Sequence, residues 1–137
     1  MRLVRVVAAV IYDSIGNTNY IYATERGYGD YKGWWEFPGG KIENDESPQQ
    51  ALVREIREEL TAEIEVGELI KTIEYDYPEF HLSMDCFWAR VVSGQLELKE
   101  AEDAKWLSPD ELDDVKWLPA DRELIECIKE NFDGKKP

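Results

Sequence analysis

Hydrophobic positions along this chain follow two spacings, and the switches between them mark its elements. Residues 3–12, LVRVVAAVIY, form a nearly unbroken apolar run rich in Val and Ile, which suits a buried strand. Turn residues follow in SIGNTN, and YIYATE alternates as a hairpin partner. From Ser47 the spacing changes to that of a helix. Leu52, Ile56 and Leu60 fall at i, i+4 and i+8 with Val53 beside them, predicting a helix that buries this stripe. Ser47 is placed as its N-cap, Pro48 at its first position, and Gln50 where it completes a capping box. EIEVGELIKTIEYDY and FHLSMDCFWARVV are again strand-like, divided at Pro78 and Glu79. A loop and a short strand at 104–107 follow, and Ser108-Pro109 opens a short acidic helix. In LPADRELIECIKENF, Leu124, Ile125, Ile128 and Phe132 recur at helical spacing, predicting a second helix packed back on the sheet. The tail 133–137 is expected to fray. This order predicts an α/β sandwich around a mixed sheet, one domain spanning 1–137.

One stretch fits neither spacing. RGYGDYKGWWEFPGGKIENDE reads as a long, Gly-rich loop with interleaved aromatics, and loops of that length in a compact domain usually carry function. Charge narrows which function. The net charge of −14 argues against a nucleic-acid duplex as partner, because phosphate backbones recruit Lys and Arg. A small phosphorylated ligand stays possible if local basic side chains or a bound metal bring it in. No apolar run reaches the roughly 18 residues of a membrane span, and MRLVRVVAAVIYD reads better as a strand than as a signal peptide. Cys86 and Cys127, far apart, read as reduced thiols of a cytoplasmic protein.

The predicted helix carries REIREEL at 54–60, where Glu55, Glu58 and Glu59 stand at i, i+3 and i+4. Like charges at that spacing repel by about 0.2–0.5 kcal/mol per pair. On the helical pattern the trio is expected roughly opposite the apolar stripe. Two readings account for it: a divalent cation held by carboxylates, or a solvated acidic face with Arg54 pairing to Glu58.

The surroundings extend the pattern. From Gly40 the chain reads Gly, five residues, Glu46, seven residues, then Arg54-Glu55-Ile56-Arg57-Glu58-Glu59. This spacing, G-x5-E-x7-R-E-U-x-E-E with U apolar, resembles the Nudix box, and WEFPGGKIE upstream looks like the MutT-type branch of that family. The family pattern continues with x-G-U, whereas Leu60 is followed here by Thr61 and Ala62. Glycine there allows a left-handed helix cap that β-branched Thr disfavours, so the helix exit is expected to differ.

The resemblance implies a Nudix-type α/β/α sandwich and a divalent-metal-dependent hydrolase of nucleoside diphosphates linked to another moiety, with Mg²⁺ as cofactor and Mn²⁺ as substitute. By the same resemblance Glu55, Glu58 and Glu59 would bind the metal, with the Gly39 carbonyl as a further ligand. Arg54 would orient the glutamates, with Glu46 and Gly40 behind them. Glu100 matches a position that approaches the metal site as general base, or is one acid among several in ELKEAED. Arg26 matches a basic residue that contacts substrate, or is a surface arginine.

Asp121 falls where MutT-like enzymes set a side chain against the base, or simply favours the helix dipole. Ionised, it suits an exocyclic amine such as cytosine N4; protonated, it could donate to an oxidised purine. Phe37 and Tyr77 could stack on a base; Trp34 and Trp35 could too, although large aromatics beside a sheet are more often core. His81 reads as structural. The combination looks most like the cytidine-nucleotide pyrophosphohydrolases, converting a nucleoside triphosphate to monophosphate and pyrophosphate. The partner would be a small nucleotide, with no membrane, and the protein a monomer or homodimer. The alternatives are an 8-oxo-dGTP-type hydrolase, a dinucleotide or ADP-ribose hydrolase, and a nucleotide-binding module without turnover.

Overall fold

The computed structural model describes residues 2–15 and 18–132. Met1, the turn residues Gly16 and Asn17, the tail 133–137 and the side chains of Ile15, Asn131 and Phe132 lie outside what is described. Among the described residues, seven strands and two α-helices follow in order: β1 (Arg2–Ile15), β2 (Thr18–Glu25), β3 (Trp35–Glu36), β4 (Gly39–Lys41), α1 (Pro48–Leu60), β5 (Glu63–Tyr77), β6 (Phe80–Ser93), β7 (Asp103–Leu107) and α2 (Pro119–Phe132). The short acidic helix expected after Ser108 is a single 3₁₀ turn, Pro109–Glu111.

The sheet is mixed, in the order β3-β2-β1-β6-β5, with β4 on β1 and β7 on β2. β1 runs parallel to β6 from Arg2↔Phe80 to Ile11↔Ala89 and antiparallel to β4 and β2 on its other edge. Its apolar run is continuous because both faces are covered. Val7, Ala9 and Ile11 join Leu52, Ile56 and Leu60 of α1 in one buried cluster. Ala8 and Val10 point the other way, into a cluster with Leu124, Ile125 and Ile128 of α2. Each fully buried Leu or Ile contributes roughly 1.5–3 kcal/mol, so α1 is fixed to the sheet by its stripe. The layers are those of the expected α/β/α sandwich.

The long loop contains more order than its sequence signals. Arg26 N–H donates to Trp34 O at 2.8 Å and Gly33 N–H to Arg26 O at 2.8 Å, with Gly29 and Gly33 at positive φ, so residues 26–34 close as a tight excursion. Two short strands then follow. β3 pairs with β2, and its Trp35 also exchanges backbone bonds with the segment before α2: Trp35 N–H to Lys116 O at 2.7 Å and Leu118 N–H to Trp35 O at 2.8 Å. These bonds place the start of α2 beside Phe37.

Candidate active site

α1 begins as the sequence predicts, with Ser47 and Gln50 exchanging both capping-box bonds. Its acidic face departs from expectation. Only Glu58 points away from the apolar stripe, with a side chain 60% exposed, while that of Glu55 is 14% exposed. Successive residues advance about 100° around a helix, so Glu55 and Glu59 flank the stripe instead of opposing it. Their carboxylates lie within hydrogen-bonding reach of one another.

Arg54 holds this group together. Its Nε and Nη2 donate to Glu46 at 2.6 and 3.0 Å, its Nη1 to Glu55 at 3.0 Å and Glu58 at 3.2 Å, and Nη2 also to the Lys41 carbonyl at 3.0 Å. The helix-pair reading of Arg54 with Glu58 therefore describes one of several bonds. The guanidinium holds Glu46 below the usual carboxylate range. Gly40 is needed for close approach: a Cβ there would lie 2.3 Å from the Glu55 carboxyl carbon. A Cβ at Gly39 would lie 1.9 Å from Val7 O, so that glycine serves the β1–β4 pairing.

Above α1 opens a cleft of about 430 Å³. Arg26, Phe37, Glu59, Tyr77, Glu100 and Asp121 line it, together with Gly39 and Gly40. The two glutamates come from elements far apart in sequence, α1 and the loop before β7. Glu59 is pushed up to about 8, first by burial and then by the charges of Glu55, Glu100 and Glu36. Burial likewise raises Glu55, against the pull of Arg54. Among the described residues no three carboxylates converge on one point, since Glu58 turns to Arg54. The donor chemistry nevertheless fits a hard divalent cation. Two adjacent, partly buried carboxylates, with Glu100 and Glu36 facing Glu59, carry a repulsion that a cation would relieve.

Arg26 grips Glu36, whose charge reaches both Glu59 and Asp121, through two bonds, Nη2–Oε1 at 2.7 Å and Nε–Oε2 at 3.2 Å. Glu36 is the site residue that sequence reasoning missed; a two-residue strand inside WWEFPGG gives no periodicity to find it by. Asp121, in the first turn of α2, is 5% exposed and accepts from the Phe37 N–H at 3.0 Å. Burial, followed by the Glu36 charge, pushes it up to about 7. Phe37 stacks on Trp117 with ring centres 4.7 Å apart, and Tyr77 stacks on Phe80 at 5.2 Å. Both rings are buried, so each belongs to the core and walls the cleft at once. Trp35 is core, and Trp34 packs edge-on against Tyr31 at 5.0 Å. His81 lies between Asp76 and Glu74 at 2.5 and 2.6 Å, and Cys86 is fully buried.

The exit of α1 corrects the expectation for Thr61. Its backbone does adopt the left-handed cap, at φ 59° and ψ 18°, with its N–H donating to Arg57 O at 3.2 Å. For a residue with a Cβ this conformation costs about 1–2 kcal/mol. The Thr61 hydroxyl offsets part of that by donating to Gln95 O at 3.2 Å.

Known proteins resemble this chain over most of its length. The model of the NUDIX domain matches residues 2–127. The CTP pyrophosphohydrolase of Escherichia coli is 36% identical over 128 residues, 93% of either chain. The 8-oxo-dGTP diphosphatase of Haemophilus influenzae is 31% identical over 125 residues, 90% of either chain. Among solved structures, the solution structure of the E. coli ORF135 protein superposes with a TM-score of 0.80 at 35% identity, covering 95% of this chain and 91% of that one.

Proposed function

This chain belongs to the Nudix family, and from that premise we propose that it hydrolyses nucleoside triphosphates to monophosphate and pyrophosphate, with cytosine-type or base-modified nucleotides preferred. The observation that carries the reading is the joining of two chemistries in one cleft. The carboxylates of Glu59 and Glu100 line the same cleft as Arg26, the rings of Phe37 and Tyr77, and Asp121. A triphosphate with its base and sugar has two matching parts.

Glu55, Glu58 and Glu59, with the Gly39 carbonyl, are the residues that would hold divalent metal, Mg²⁺ in our reading with Mn²⁺ able to replace it. Bound there, the metal supplies charge neutralisation of the phosphates and a lowered pKa for the attacking water. Arg54 orients Glu55 and Glu58 and is itself fixed by Glu46. Glu100 accepts the proton of the attacking water as general base. Arg26, already turned into the cleft by Glu36, meets phosphate or ribose. The rings of Phe37 and Tyr77 pack against the base, whose edge meets Asp121.

Asp121 favours a second substrate class under some conditions. Its carboxyl, at about 7, is part neutral and part ionised near neutral pH. Ionised, it accepts from cytosine N4; neutral, it donates to an oxidised purine. The 8-oxo-dGTP diphosphatases among the relatives make that purine the natural competitor. The thiol chemistry, with Cys86 buried, suits a cytoplasmic setting, and we place the reaction in the nucleotide pool there. Among the described residues no helix is long and apolar enough to cross a membrane.

The test is product analysis by ion-exchange chromatography. The protein is given dCTP, 5-methyl-dCTP, CTP, 8-oxo-dGTP and dGTP, with Mg²⁺ or with EDTA, beside a Glu58→Gln control. Monophosphate plus pyrophosphate from a cytosine nucleotide is expected, abolished by EDTA and reduced by orders of magnitude in the variant. Turnover of none of these, with binding retained in metal-free buffer, would replace the enzyme by a nucleotide-binding module.

A further inference from the structure

The loop that brings Glu100 into the cleft, residues 94–102, has no secondary structure of its own, yet it is anchored at both ends. One anchor is the exit of α1. Thr61 Oγ1 donates to Gln95 O at 3.2 Å, and Glu97 N–H donates to Leu60 O at 2.9 Å. Leu96, between them, packs against the cluster on the α1 face of the sheet. Gly94, at φ 80°, makes the close turn beneath Thr61: a Cβ on it would lie 3.1 Å from Thr61 O. The other anchor is β2, where Glu102 N–H donates to Glu25 O at 3.0 Å and the Glu100 carbonyl comes within 3.1 Å of where a Gly27 Cβ would stand. Leu98, Lys99 and Glu100 bridge the two.

The last turn of α1 carries Glu58 and Glu59, and the residue just after it holds the loop that carries Glu100. Thr61 occupies the position where the Nudix pattern has glycine, and glycine would satisfy the left-handed backbone without strain. What threonine adds is the hydroxyl. We infer that Thr61 is a positioning residue: its bond to Gln95 ties the Glu100 loop to the end of α1 and fixes the spacing between Glu100 and Glu59 across the cleft. This rests on the reading of Glu100 as general base.

Three single variants and one double test it, with turnover measured on the preferred nucleotide. Thr61→Gly loses the hydroxyl and relieves the backbone, so its Tm is expected to equal or exceed that of the parent. Its kcat falls roughly tenfold, because small displacements of a catalytic group are costly in rate, while KM stays within about twofold of the parent. Thr61→Ser keeps the hydroxyl and restores kcat. In the metal-free protein, the Glu97 amide exchanges hydrogen faster in Thr61→Gly than in the parent or Thr61→Ser. Glu100→Gln combined with Thr61→Gly is no slower than Glu100→Gln alone, since Thr61 acts through Glu100.

Parent-like kcat in Thr61→Gly beside an impaired Glu100→Gln would overturn the positioning role alone. So would a Thr61→Ser as slow as Thr61→Gly, or losses that multiply in the double variant. Parent-like kcat in Glu100→Gln would instead remove the general-base reading on which the inference stands.

Discussion

Asp121→Asn is the substitution whose outcome follows most directly from the structure. Asp121 is 5% exposed, accepts from the Phe37 N–H at 3.0 Å and feels the charge of Glu36. Its carboxyl is raised from an ordinary 3.8 to about 7. A raised acid holds its proton more tightly in the folded chain than in the unfolded one. Its contribution to stability is therefore fully present below about pH 4, declines as pH rises through 7, and is absent above. At 1.36 kcal/mol per unit, the shift corresponds to about 4 kcal/mol as an upper bound.

Asparagine has the shape of the neutral acid and does not titrate, so the variant should lack this slope. The assay is urea unfolding of both proteins at half-unit steps from pH 4.5 to 8.5, in buffers of constant ionic strength. Taking the difference between the two cancels the other carboxylates. The variant should gain stability on the parent as pH rises, by between 1 and about 3 kcal/mol across the range, with the steepest change between pH 5 and 6. A difference that stays flat within 0.5 kcal/mol, or one that shrinks with pH, would refute the claim that the fold holds Asp121 as a raised acid.

Gly39 and Gly40 should separate stability from activity. Gly39→Ala drives a Cβ into the Val7 carbonyl and should destabilise by roughly 1–3 kcal/mol or more in a denaturant titration. Gly40→Ala meets first the far end of the Glu55 side chain, so it should fold normally while turnover falls; an active Gly40→Ala would contradict the placement of Glu55. His81, between Asp76 and Glu74, is raised above its ordinary 6.5 by those two partners. An NMR titration of its ring should find the midpoint above that value, and a midpoint at or below it would mean the ring leaves both carboxylates in solution.

How much of this was legible in the sequence divides along a physical line. The start and buried face of α1 were readable to the residue because their signals are local: a cap at Ser47, Pro48, and a stripe at Leu52, Ile56 and Leu60. β5 and β6 were equally readable, being long runs divided at Pro78 and Glu79. β3 and β4 were not, because two or three residues carry no period and their pairing is set by the edges of β2 and β1. Glu36 went unread for the same reason. Thr61 taught the opposite lesson. Its side chain disfavours the left-handed cap, yet Gln95, 34 residues further on, holds it there. The acidic trio was legible as chemistry but not as geometry, since Glu59 turns toward the cleft, Glu55 packs beneath Gly40, and Glu58 turns toward solvent.

The parallel pairing of β1 with β6 also bears on how the chain is made. During synthesis β1 emerges long before Phe80–Ala89, the neighbour of its residues 2–11 along one edge. At the ribosome's pace of about 5–20 residues per second, the wait for that neighbour is roughly 4–16 s. Through it, a stretch of Val, Ala and Ile buried on both faces in the finished sheet has no partner on that side, and non-local pairings of this kind form slowly. Arg2 and Arg5, exposed on β1, are placed as gatekeepers against premature association of that stretch. The strand at the centre of the finished sheet is thus the segment most open to mispairing while the chain is still nascent.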